Sequence, residues 1–223
     1  MRKPCVVVCT FLVSIGALRA APLLTVTEDF EGTIDEASWR SSPQDEIVTP
    51  GGNPGAYLRA FRDSAEPVIL TVPALAGHFL GNYRGKAVSS VGIDVSIFDV
   101  GISADGRPVS FHLLSDMNTP DDPSDDCEVA IVSTKSLPRP GHGWRSFDFK
   151  VPSFSKALPL GWQVVSCPGL DDNAAWNAVI THVSQASFAF GEPGFFYFFQ
   201  TWDIGYDNAR ISFGKGGLQP PPF

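Results

Sequence analysis

Residues Phe188 to Phe213 read FAFGEPGFFYFFQTWDIGYDNARISF, and this stretch decides the fold. Phe188 and Phe190 alternate with Ser187 and Ala189, and Gly191-Glu192-Pro193-Gly194 punctuates the chain. Further on, Ala209, Ile211 and Phe213 alternate with Asn208, Arg210 and Ser212. Period-two alternation is the mark of a strand with one face buried. The pattern predicts a hairpin that closes a sandwich built from the upstream chain. On a strand, Phe195, Tyr197 and Phe199 face one way while Phe196 and Phe198 face the other. One set fills the core. The other is expected to be covered by a helix, because large exposed apolar patches are unusual; the alternative is that it lies exposed.

Working outward, the clearest alternation is Val91, Ile93, Val95 and Ile97 against Gly92, Asp94 and Ser96. Val109, Phe111 and Leu113 form another run, as do Val129 and Ile131 after Cys127, and Phe147, Phe149 and Val151. Leu23–Glu31, Ala56–Arg62 and Val68–Val72 add strands, with the register of Ala56–Arg62 left open because both its faces carry an arginine. Ser41–Pro54, Pro73–Lys86 and Ser115–Asp126 read as loops. One segment has helical spacing: Ala174, Ala175, Trp176, Val179, Ile180 and Val183 predict a helix near 172–185, capped by Asp171 or Asp172 and packed on an edge or end of the sandwich. About nine to eleven strands with one helix make the chain mainly β, an antiparallel jelly-roll β-sandwich.

Residues 1–20 read as a signal peptide, with Arg2 and Lys3 before the apolar run Cys5–Leu18 and a cleavage site after Ala20. The alternative is an uncleaved anchor. Cleavage removes Arg2, Lys3 and Arg19 and no acid, which takes the net charge from -8 to -11. Such a surface argues against nucleic acid and anionic membranes as partners. It fits a protein that is secreted or periplasmic and is not an integral membrane protein after cleavage. Residues 21–213 are long enough for one domain, and 214–223, with three consecutive prolines, reads as a disordered tail. Cys127 and Cys167 remain after cleavage. Two cysteines in an exported chain read as a disulfide, the alternative being two buried thiols.

Motifs for catalysis are missing: no Gly-x-Ser-x-Gly, no His-Glu-x-x-His and no glycine-rich phosphate loop. His78, His112, His142 and His182 are scattered, and no carboxylates are paired by their surroundings. The chain is read as non-enzymatic. The acidic loop with Asp116, Asp121, Asp122, Asp125 and Asp126 lacks calcium-loop spacing and reads as solvated.

An ordered series of short motifs runs along the chain. It comprises Asp29-Phe30-Glu31-Gly32, Pro54-Gly55-Ala56-Tyr57-Leu58, Phe79-Leu80-Gly81-Asn82-Tyr83, Gly143-Trp144-Arg145-Ser146-Phe147 and Tyr206-Asp207-Asn208-Ala209-Arg210-Ile211. In this order it resembles the laminin B (laminin IV type A) domain and its bacterial secreted relatives, within the galactose-binding-like jelly-roll group that includes many carbohydrate-binding modules. The resemblance implies a structural calcium between the first and last strands, at Asp29 or Glu31 and Asp207. It also implies a binding domain for extracellular glycan, the alternative being a structural or adhesive protein that contacts envelope protein. Tyr197, Trp202 and Tyr206 are the expected ligand-binding aromatics, since each joins a flat face to a polar tip. For Trp202 the competing expectation is a plug at the sandwich end.

Overall fold

The period-two runs become strands in a computed structural model, which describes residues 24–214. The signal peptide expected over 1–20 lies outside the described residues, as does the expected tail after Gly214. In chain order the elements are β1 (Leu24–Glu28), β2 (Trp39–Arg40), β3 (Glu46–Gly52), β4 (Gly55–Ser64), β5 (Val68–Thr71), β6 (Val88–Val100) and β7 (Pro108–Ser115). Then come β8 (Cys127–Ser136), β9 (Arg145–Lys150), β10 (Trp162–Ser166), α1 (Asp172–Thr181), β11 (Gln185–Ala189) and β12 (Gln200–Phe213). Two antiparallel sheets pack as a sandwich. One runs β3-β4-β12-β6-β9 with β1 also on β12, and the other runs β10-β8-β7-β11-β5-β2.

β12 lies at the centre of its sheet and changes partner halfway. β4 pairs with residues 200–206 and β1 with 209–213. Between them Asn208 has φ 48°, and the register with β6 shifts between Asp207 and Arg210. Trp202, Ile204, Tyr206, Ala209, Ile211 and Phe213 are buried along β12. Phe111 and Phe188 of the opposite sheet meet Phe149 of β9 at ring-centre distances of 5.7 and 5.9 Å, so aromatic contacts knit the layers.

The expected hairpin is not formed. β11 pairs with β7 and β5 in one sheet, whereas β12 pairs with β4 and β6 in the other. The chain therefore crosses the end of the sandwich, and 191–199 is a loop without strand pairing. β3 occupies part of the expected loop 41–54; it is an edge strand paired only with β4, a position that tolerates Pro50. β10 carries no alternation to reveal it, and it exists because β8 offers an edge.

α1 is shorter than expected. Asp171 caps it by accepting from the N–H groups of Asn173 and Ala174 at 3.0 and 2.9 Å. Ala175, Trp176, Val179 and Ile180 are buried, as their spacing predicts, and Trp176 meets Trp162 at 5.0 Å. Beyond it Val183 bridges to Gly81 and Gln185 starts β11, which ends the helical run. A disulfide joins Cys127 at the start of β8 to Cys167 just past β10.

Candidate functional site

The aromatics singled out from sequence do not gather into one site. Trp202 is 2 % exposed and Tyr206 is 0 % exposed. The Trp202 indole N–H donates to the Ser64 carbonyl at 3.0 Å, and both rings pack on Phe190, at 5.9 and 5.8 Å. Inward positions on a central strand leave neither ring a face for a ligand, which corrects the ligand-binding expectation for Tyr206 and, for Trp202, matches the competing expectation of a plug. Tyr197 is half-buried in the 191–199 loop, where its hydroxyl accepts from the Glu192 N–H at 3.0 Å. The Arg107 guanidinium lies 4.0 Å from the Tyr197 ring centre and 5.0 Å from that of Trp202, between the loop and the core. Covering of the aromatic run is also overturned, since Phe195, Phe196, Phe198 and Phe199 are 61, 75, 73 and 74 % exposed.

A different surface combines aromatic and polar groups. On the outer face of the β12 sheet, Trp144 and Phe98 lie against Gly205, where an added Cβ would stand 2.7 Å from Trp144 Cη2 and 3.0 Å from the Phe98 ring. Tyr57 meets Trp144 edge-on at 5.5 Å and Phe98 at 5.4 Å. The Trp144 indole N–H donates to Gly51 O at 3.0 Å, which ties the loop before β9 to the β3–β4 turn. Trp144 and Phe98 stay half-exposed.

Fixed ion pairs flank this aromatic group. Arg59 donates to both oxygens of Asp203, at 2.9 and 2.6 Å, and Asp203 holds the guanidinium pKa up. Arg210 joins Asp94, at 2.8 Å, to Asp148, at 2.9 and 2.7 Å. Asn53 and Asn208 also donate to Asp94, at 3.0 and 3.1 Å. Burial pushes the Asp94 carboxyl up, but hydrogen bonds from Ser146, Arg210 and Asn53 outweigh it and hold the pKa below its ordinary value. Sequence reasoning missed this set. The signal lay in the polar alternates: Tyr57 and Arg59 on β4, and Asp94, Ser96 and Phe98 on β6, are the outward partners of the core residues.

Asp29 and Glu31 follow β1, and Asp207 stands where β12 changes partner. Glu31 Oε1 accepts from the Ala56 N–H at 2.8 Å and Asp29 Oδ1 from the Glu31 N–H at 3.2 Å. The Asp207 carboxylate accepts from the N–H groups of Asn53 and Asn208. It is pushed up to about 6, first by burial and then by the nearby charges of Asp94 and Asp29. Carboxylate oxygens are the ligands a hard cation takes, and here backbone N–H groups already donate to Asp207 and Glu31 while Arg210 donates to Asp94. Among the described residues, no three such groups converge on one point.

One further arrangement escaped the sequence. On the outer face of the other sheet, His112 Nδ1 lies 2.6 Å from Glu128 Oε1 and Nε2 lies 2.8 Å from Ser110 Oγ. These are the distances of a Ser-His-acid relay. Ser110, however, is 0 % exposed and sits inside β7, which is paired on both sides by β8 and β11. A substrate carbonyl has no approach to Oγ, and strand pairing engages the neighbouring N–H groups that would stabilise an oxyanion.

No family model matches the sequence, and no curated protein matches it. Solved structures do resemble it. A family 30 carbohydrate-binding module has a TM-score of 0.47 at 10 % identity, covering 90 % of this chain and 93 % of that one. The C-terminal family 22 carbohydrate-binding module of Clostridium thermocellum Xyn10B has a TM-score of 0.45 at 11 % identity, over 87 % and 96 %. The L4b domain of human laminin alpha-2 has a TM-score of 0.39 at 9 % identity, over 91 % and 96 %.

Proposed function

We propose that this domain is an exported, non-catalytic module that binds extracellular or cell-envelope glycan across the outer face of the β12 sheet. The observation that carries the reading is Trp144, a half-exposed indole seated on Gly205 between the Arg59–Asp203 and Arg210–Asp94–Asp148 groups. A sugar ring is apolar on its face and polar at its rim, so it needs a flat ring flanked by hydrogen-bonding groups. The flanking groups here hold one another in place, which lowers the ordering cost of binding. Export is supported by the Cys127–Cys167 disulfide, since such bonds persist in oxidising compartments.

The proposal includes a structural calcium ion at Asp207 with Asp29 and Glu31. What supports it is the buried Asp207 carboxylate beside the charges of Asp94 and Asp29. Glu31 Oε1 accepts from the Ala56 N–H, and its Oε2 would be the oxygen offered to the ion. The ion would tie the start of the domain to β12.

A glycan array and a polysaccharide pull-down on residues 21–223, with Trp144→Ala beside the wild type, test the glycan reading. Retention by the wild type and its loss in the folded variant are expected. A wild type that retains no glycan removes this reading, and a protein-contacting envelope or matrix domain takes its place.

A further inference from the structure

We propose that the 191–199 loop is a tip that docks the domain on a zwitterionic phospholipid surface. From Pro193 to Trp202 the chain carries no charged residue, in a protein of net charge -8. Phe195, Phe196, Phe198 and Phe199 are each more than half exposed. Gln200 Oε1 accepts from the Ile102 N–H at 2.9 Å, which places a further exposed apolar side chain beside the end of the loop. Leu24 pairs with Phe213, so the described chain begins and ends at the opposite end of β12, roughly 43 Å from Gln200 at strand rise.

The shape of the tip decides what covers it. Phe195 packs on Tyr197 at 4.8 Å and Phe196 on Phe198 at 5.5 Å, while the exposed Phe199 stands outside both contacts, so exposed rings run the length of the loop. A flat protein partner covers one side of such a loop, whereas a fluid lipid boundary closes around all of it. Phenylalanine has no polar tip for sugar hydroxyls, which separates this surface from the Trp144 face.

The surroundings carry both signs of charge. A cavity of about 350 Å³ against Phe195 and Tyr197 is lined by Asp105, Arg107 and Glu192. Asp105 also lines the adjoining cavity of about 270 Å³, together with Arg139, His142 and Arg145. Arg107 and Arg145 donate to backbone carbonyls of Ala65 and of Ser136 and Leu137. Asp105 already accepts from Arg139 at 2.9 Å; the remaining N–H groups of the exposed Arg139 and Arg145 suit the phosphate of a zwitterionic headgroup, and the exposed Glu192 suits its ammonium. Net negative charge disfavours anionic lipid. No helix among the described residues is long and apolar enough to cross a membrane.

Co-sedimentation of residues 21–223 with phosphatidylcholine vesicles tests the proposal, with the double variant Phe196→Ser/Phe199→Ser as the control. Both side chains are exposed, so the variant is expected to keep the wild-type melting temperature and its glycan retention. The wild type is expected to pellet with the vesicles and the double variant to partition roughly a hundredfold more weakly, from the apolar area removed. Phosphatidylglycerol in the vesicles is expected to weaken binding. A wild type that stays in the supernatant overturns the proposal, as does a double variant that pellets equally. So does a loop whose substitution abolishes self-association in lipid-free buffer while leaving vesicle binding unchanged, which would make it a protein contact.

Discussion

Trp144 lies directly on Gly205, so that a methyl group at position 205 would meet the indole Cη2 at 2.7 Å. Gly205→Ala is expected to lift the ring and cost about 1–3 kcal/mol by overpacking. Trp144→Ala removes a half-exposed ring, so its cost is expected to stay below the roughly 3–5 kcal/mol of a buried tryptophan. Urea unfolding and glycan retention measured side by side check both. A Trp144→Ala protein that binds glycan like the wild type places the site elsewhere.

Trp202→Ala is expected to behave in the opposite way. The side chain is buried against Phe190 and donates to Ser64 O, so the loss is a cavity plus a broken hydrogen bond. A destabilisation of about 3–5 kcal/mol is expected, read as a lower urea midpoint with unchanged slope. Under conditions where the variant is folded, glycan retention should match the wild type. A change below about 1 kcal/mol would contradict the core assignment.

Local periodicity made most of the architecture legible. Val91 to Ile97 and Val109 to Leu113 alternate because each strand has one face in the core, and that regularity survives without tertiary knowledge. β3 and β10 were not legible, because edge strands are created by a neighbour and not by their own pattern. The aromatic run misled for a related reason. Phe195 to Phe199 has strand composition, but β4 and β6 begin pairing with β12 only around Gln200 and Trp202. The Trp144 face was invisible because Tyr57, Phe98, Trp144 and Gly205 come from β4, β6, the loop before β9, and β12, and nothing in a single sequence pairs them.

Ser110, His112 and Glu128 have relay distances without access. The protein is expected to show no hydrolysis of p-nitrophenyl acetate above that of Ser110→Ala. Stopped assays over a range of pH check this. Turnover that disappears in Ser110→Ala, with the variant still folded, would make the domain an esterase and end the non-catalytic reading.

The Cys127–Cys167 bond closes a loop with a sequence separation of 40. In the chain-entropy model that loop stabilises the fold by roughly 4 kcal/mol. Cys127→Ser/Cys167→Ser is expected to lower the melting temperature by several degrees or more, and reductant should do the same to the wild type but not to the variant. Free thiols in the unfolded, unreduced wild type would show that the bond does not form.

Asp207 faces Asp94 across the β12–β6 pair at the point where β12 exchanges β4 for β1, and both side chains are buried. With chelator present, the folded-state pKa of about 6 lies above the unfolded value of 3.8. The native state then binds more protons between those values, so this group's contribution to stability falls as pH rises from about 4 to 6. A calcium ion that prefers the ionised carboxylate reverses that penalty, because it binds the native state and not the unfolded chain. Calcium at pH 7 is therefore expected to raise the melting temperature above its value in chelator, and the increment should be smaller at pH 5, where protons compete. Asp207→Asn is expected to abolish the increment; because one carboxylate oxygen that accepts a backbone N–H is also lost, each variant is compared with itself, with and without calcium. A wild-type melting temperature unmoved by chelator and by added calcium at both pH values rules out the ion.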